Sequence, residues 1–172
     1  QKLTLKLTMQ SELNFKAGAR VNIDQSAATG EAIALTYGGS VLNAPETEAF
    51  KVVSQDNTIR VGNDILTNNV QDSSQLISAS INNADFTQTP SNTNSMFRID
   101  PNQAQVAFNF TGDNTTMTSA DNGWLTQVQN GSKLEFTASG AGQMTGLTTL
   151  EGTGKLNNTL DQGFTWNLRE HA

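Results

Sequence analysis

The chain has 172 residues, 10 Lys and Arg against 16 Asp and Glu, a formal net charge of −6, and no cysteine. Disulfides, zinc–thiolate sites and thiol nucleophiles are thereby excluded, and an acidic balance without a basic run argues against a nucleic-acid partner. Charged residues make up only 15%, well under the usual quarter, and the polarity comes from Asn, Gln, Ser and Thr, a make-up associated with extracellular surface proteins.

This length suggests one domain, and no apolar run approaches the ~20 residues of a membrane span. The chain opens with Leu3, Leu5, Leu7, Met9, Ser11, Leu13 and Phe15, set between the polar Lys2, Thr4, Lys6, Thr8 and Gln10. A strand sends successive side chains to opposite faces, so this segment has one apolar edge and one wet edge. A terminal strand of that kind needs an apolar groove, in its own fold or in a neighbour's.

Further strands are predicted every ten to fifteen residues. Ile33, Leu35 and Tyr37 alternate with Ala34 and Thr36; Phe50 with Val52 and Ile59 with Val61 follow. A stretch around Ile65 to Leu76 is the best helical candidate, but Asn68, Asn69, Asp72, Ser73 and Ser74 limit it to a turn of helix. Strand patterns resume at Ile77–Ile81, Phe97–Ile99, Val106–Phe110, Trp124–Val128, Leu134–Ala138 and Phe164–Leu168, with an exposed loop expected over Thr87–Ser95. Between them lie turn formers such as Gly38-Gly39, Asn63-Asp64, Asn82-Asn83, Gly112-Asp113-Asn114, Asn122-Gly123 and Asn130-Gly131, which suit tight hairpins. Short strands with one buried face and regular turns predict a sandwich or barrel. No internal repeat and no domain linker stands out.

Groups able to do chemistry are few. His171 is the single histidine, and its penultimate position predicts a frayed, solvated side chain. Glu46, Glu48, Asp56, Asp64 and Asp72 lie in loops, where capping of local backbone explains them better than a paired-carboxylate cleft. Gly112-Asp113-Asn114 and Ala120-Asp121-Asn122-Gly123 carry oxygen ligands but lack the spacing of a calcium loop. Glycosylation sequons stand at Asn109, Asn114, Asn130 and Asn157. Tyr37 and Trp166 are expected in the core, whereas Trp124, next to Asn122-Gly123, is the candidate for an exposed receptor contact. No cofactor and no metal is expected.

Three features together resemble bacterial chaperone–usher fimbrial subunits of the cysteine-free, alpha-class colonisation-factor kind. They are the strand Lys2–Gln10; Ile23-Asp24 with Ala27–Tyr37 and Phe50-Lys51-Val52; and Ala141-Gly142-Gln143-Met144-Thr145-Gly146-Leu147, in which Met144 replaces the family's usual Tyr. The resemblance implies an all-β, immunoglobulin-like β-sandwich that stays incomplete until a donor strand fills it. It divides the chain into a donor or first strand (1–16), a pilin-like domain (17–150), and an extra or appended, engineered strand (151–172) joined through Gly152-Thr153-Gly154.

It further implies a structural or adhesive subunit, not an enzyme, that polymerises on the cell surface by donor-strand exchange. Leu3, Leu5, Leu7 and Met9 would be the plugs of the subunit interface. Partners would be further fimbrial subunits, a periplasmic chaperone, an outer-membrane usher and a host glycan or surface receptor. The rival readings are the first strand of a closed sandwich donated to nobody, a monomeric β-barrel or sandwich binding a carbohydrate or lipid, a hydrolytic domain, and a phage or secreted coat component.

Overall fold

Alternation settles which side chains turn inward; strand pairing settles what they meet. The structure, a computed structural model, describes residues 3–8, 10–36, 38–62 and 75–171. Its strands fall into six successive coils of three. The first holds β1 (Leu5–Leu7), β2 (Glu12–Asn14) and β3 (Arg20–Gln25); the second β4 (Ile33–Thr36), β5 (Val41–Ala44) and β6 (Ala49–Ser54). The third holds β7 (Ile59–Gly62), β8 (Ile77–Asn82) and β9 (Ala84–Gln88); the fourth β10 (Ser95–Ile99), β11 (Val106–Thr111) and β12 (Thr116–Thr118). The fifth holds β13 (Trp124–Val128), β14 (Lys133–Ser139) and β15 (Gln143–Thr145); the sixth β16 (Thr148–Leu150), β17 (Lys155–Asp161) and β18 (Thr165–Asn167).

Each strand pairs, in parallel, with the strands three before and three after it. Three six-stranded parallel sheets result, with orders β1-β4-β7-β10-β13-β16, β2-β5-β8-β11-β14-β17 and β3-β6-β9-β12-β15-β18. This is a parallel β-helix, a solenoid in which one coil stacks on the next. Five strand spacings of about 4.8 Å make it roughly 24 Å from first coil to last.

The expectation of an all-β chain holds. The immunoglobulin-like sandwich does not: that fold needs two antiparallel sheets packed face to face, and every described pair here is parallel. The turn formers correspondingly make solenoid corners and not hairpins. Asn82-Asn83 links β8 to β9, Asn122-Gly123 links β12 to β13, and Asn130-Gly131 links β13 to β14. The strands described within 1–16 and 151–172, segments set apart on sequence, are built into the same solenoid: β1 and β2 pair with β4 and β5, and β17 and β18 with β14 and β15. Residues 63–74, most of the short helical candidate, lie outside the described residues, as do Met9 and Tyr37.

The core is a set of columns running along the axis. One reads Leu7, Leu35, Val61, Ile99, Val128, Leu150. Another reads Ile23, Val52, Phe86, Met117, Met144, Trp166. A third reads Leu13, Leu42, Ala79, Phe108, Phe136, Asn158. Phe86, Phe97, Phe108, Phe110 and Phe136 pack together at the centre, with ring centroids 5.3–6.3 Å apart for the pairs in contact. Such spacings suit edge-to-face and tilted pairs. Outward positions are polar, for example Lys51, Asp85, Asn109 and Glu135, all exposed.

Corners bury backbone carbonyls and amides that no ladder satisfies, and buried backbone polar groups need partners. Gln25, Ser54, Gln88 and Ser119 stand at one corner, where the third sheet gives way to the first, and all four are buried. The Gln25 amide donates to the Gly30 carbonyl (2.7 Å) and the Ser54 hydroxyl to the Asp56 carbonyl (3.1 Å). Gln88 donates to the Asn94 carbonyl (2.9 Å) and accepts from the Ala120 amide (3.0 Å). At the next corner the Ser132 hydroxyl donates to the Asp100 carbonyl and accepts from the Gln103 amide (2.9 Å). These Gln and Ser residues are corner chemistry; others, such as Ser78, Ser80 and Asn109, stand at outward strand positions.

Candidate functional site

A catalytic centre requires titratable groups converging on one cleft. The loop carboxylates instead serve their own corners. Asp56 accepts from the amides of Asn57 (2.7 Å) and Gly30 (3.2 Å), and Asp113 from that of Ala141 (2.9 Å). Glu48 pairs with Arg20 at 3.1 Å and Asp121 with Arg169 at 3.4 Å. Asp64 and Asp72 lie outside the described residues. Among the described residues, no three of His, Asp and Glu lie close enough together to hold a metal ion.

The densest charge cluster is Arg60, Arg98 and Asp100. Arg60 and Arg98 are direct neighbours on adjacent strands β7 and β10, a position where like charges repel. Asp100 sits between them. Arg60 Nε lies 3.1 and 3.2 Å from its two carboxylate oxygens and Nη2 lies 3.0 Å from Oδ2, while Arg98 Nε lies 3.0 Å from Oδ1. Burial of the Arg60 guanidinium works against its charge, but the bond to Asp100 and the nearby negative charges of Asp100, Glu31 and Asp56 outweigh it and raise its pKa. The two guanidinium groups share the one carboxylate. Its role is to hold β7 to β10.

A shallow groove runs over the outside of β11 and β14, between Leu76, Val106, Lys133 and Glu135. Lys133 and Glu135 pair across it at 3.2 Å, and Glu135 also accepts from Asn157 (3.0 Å). The bonds from Asn157 and Lys133 together lower the Glu135 pKa. Asp24, exposed at the end of β3, is lowered likewise by its bonds to the hydroxyl and amide of Ser26.

Trp124, expected at a free loop tip, opens β13 and is half-buried. Its ring is stacked on His171, with centroids 4.2 Å apart and planes inclined by 20°. The solvated, frayed His171 expected from its position is therefore corrected: the tail is tied down. Arg169 donates to the Ser119 carbonyl and pairs with Asp121, which carries the chain back along the corner preceding β13. Trp166 packs against the core as expected and donates from Nε1 to the Gly146 carbonyl (2.8 Å). The sequon asparagines Asn109, Asn114, Asn130 and Asn157 are all exposed.

The predicted interface residues are spread along one edge. Leu5–Leu7 form β1, whose one edge pairs with Ile33–Leu35 of the same chain. Leu7 is buried, Leu5 half-buried and Leu3 exposed. Among the described residues no strand lies beside the other edge of β1, which ends its sheet. Sequence reasoning missed the matching feature at the opposite end. In the last coil the inward side chains Leu156, Leu160 and Trp166 are only half-buried, and Leu150 and Leu168 are 50% and 64% exposed. Leu156 and Leu160 stand at inward positions of a strand pattern, but only stacking order shows that no described strand lies beyond them.

No protein-family model, no curated protein and no solved structure matches this chain.

Proposed function

We propose that the chain is a structural, rod-forming segment of an extracellular bacterial surface fibre or adhesin, and not an enzyme. One observation carries this reading: two apolar columns, Leu7 to Leu150 and Ile23 to Trp166, pass through all six coils, while loop carboxylates such as Asp56 and Asp113 bond backbone amides at the corners. A parallel β-helix is quasi-one-dimensional, each coil touching only its neighbours. It is suited to span distance and to present corner loops along its length. The low charge and the Asn, Ser and Thr surface agree with an exposed location.

Donor-strand exchange is replaced in this proposal. The groove that a donor strand fills, and the chaperone and usher that serve it, belong to an incomplete sandwich, whereas Leu5 and Leu7 lie in the chain's own first coil. A host glycan or surface receptor would meet the corners, since Trp124 is engaged with His171.

The test is antibody labelling of intact and lysed producing cells, read by immunogold electron microscopy. Label on the surface of intact cells is expected. Label appearing only after lysis would overturn the extracellular reading.

A further inference from the structure

We propose that Leu168–His171, the segment that follows β18, is a strap that clips the sixth coil to the corner between β12 and β13. Strap and corner open and close together, and Trp124 is uncovered only in the open state. This device belongs to the solenoid itself and stands whatever the location of the chain.

Arg169 and His171 anchor the strap. Arg169 Nη2 donates to the Ser119 carbonyl and lies 3.4 Å from the Ser119 hydroxyl, while Nη1 pairs with Asp121 at 3.4 Å. Two residues on, the His171 ring stacks on Trp124 with centroids 4.2 Å apart. Ser119, Asp121 and Trp124 stand at the start, middle and end of one corner, which carries the chain from β12 in the fourth coil to β13 in the fifth. Ladders join a coil only to its neighbours. The strap does more, because it reaches from the sixth coil to Ser119 in the fourth.

The coil between them leaves room for this reach. The Ser119 amide donates to the Thr145 carbonyl and the Gly146 amide to the Asn167 carbonyl, both at 3.1 Å. Gly146 thus stands between Ser119 and the strap, and a Cβ there would collide with the Ser119 hydroxyl. Leu168 is exposed, so polar bonds and one ring stack hold the strap, not apolar burial. Opening it uncovers little core, and segments of that kind open while the rest of a structure stays folded. A coupling free energy is reciprocal, so loosening the corner loosens the strap, and loosening the strap loosens the corner.

Native-state hydrogen exchange of the intact chain, followed amide by amide by NMR, tests this. Gly123, bonded to the Ala120 carbonyl, reports on the corner, and Gly146, bonded to the Asn167 carbonyl, on the strap. Asn83, bonded to the Thr111 carbonyl at the corner between β8 and β9, is the control. Arg169→Ala removes a charge-assisted bond to buried Ser119; exchange at both Gly123 and Gly146 is expected to rise about tenfold, with Asn83 unchanged. Asp121→Ala acts from the corner side, and the loss of its exposed ion pair is expected to speed exchange at Gly146 about two- to threefold. His171→Ala is expected to shift the Trp124 indole N–H resonance, identified by its loss in Trp124→Phe. Far-ultraviolet circular dichroism checks that each variant is folded. Exchange at Gly146 that ignores Asp121→Ala overturns the proposal. So does a rise at Asn83 as large as that at Gly146, which marks global unfolding, or a Trp124 resonance indifferent to His171→Ala.

Discussion

Phe97→Ala is the substitution that most directly weighs the central stack. Phe97 is fully buried on β10, between Ile59 and Thr126 of the adjoining coils. Its ring lies 6.1 Å from that of Phe86, 5.6 Å from Phe108, 5.6 Å from Phe110 and 6.0 Å from Phe136. Truncating a buried Phe costs about 3–5 kcal/mol. The upper end, about 4–5 kcal/mol, is expected here, because the neighbouring backbones are held by ladders on both sides and cannot collapse into the void. Phe15→Ala is the control. Phe15 is half-buried in the first coil and touches one ring, that of Phe50 at 5.9 Å, so about 1–2 kcal/mol is expected from the area it hides. Urea unfolding followed by circular dichroism measures both. Native-state hydrogen exchange then shows whether coils open singly, as nearest-neighbour stacking predicts. At roughly 2–4 °C per kcal/mol for a chain of this size, Phe97→Ala should lower Tm by about 10–15 °C. Equal costs at the two positions would refute a core whose cover fades from the centre to the poles.

Asp100→Ala leaves Arg60 and Arg98 as neighbouring like charges without the carboxylate they share, with only Glu31 and Asp56 acting on Arg60 from further off; a loss of about 2–3 kcal/mol in urea unfolding is expected, toward the low end for breaking a buried ion pair. Gln88→Ala strips partners from the Asn94 carbonyl and the Ala120 amide; about 1–3 kcal/mol is expected, with faster amide exchange at Ala120 as the local readout. In Gly142→Ala the new Cβ would lie 2.6 Å from the Thr115 carbonyl oxygen, so β12 and β15 must part, and a Tm several degrees lower is expected even though alanine is the better strand residue. Glu135 and Asp24 have folded pKa values below their ordinary ones; the stability each contributes is complete only above the ordinary carboxylate range, about pH 5, and is lost as pH falls through the folded value. Carboxyl chemical shifts in an NMR titration should show both midpoints below those of model peptides, and Asn157→Ala should move only that of Glu135 upward.

Much of the strand content was legible in the sequence. Alternation at Ile77–Ile81, Val106–Phe110 and Leu134–Ala138 located β8, β11 and β14, and it identified their inward residues. β3, β5, β12 and β17 were less visible. β12 holds three residues, and β17 carries Asn158 at an inward position where an apolar residue is expected. The stacking repeat was hidden by unequal coils. Partners on adjacent strands are 22 residues apart between Thr126 and Thr148 but 38 apart between Ile59 and Phe97, so no fixed period marks the chain. The exposure of Leu150 and Leu168 could not be read at all, because it depends on which described coil lies beside them.

Composition and alternation by themselves determined an all-β chain with one wet face per strand, apolar residues at the inward positions and polar residues at the turns. A side chain's face follows from the two-residue pleat, which is local. Which strand lies beside which is a long-range matter, and the same pattern serves a hairpin or a coil. Alternation usually marks an antiparallel sheet because parallel sheets are mostly covered on both faces. A solenoid wraps parallel sheets around one core and leaves each with a wet outer face, so the usual inference fails. Only the tertiary structure could decide that Asn122-Gly123 turns a corner and that Trp124 meets His171.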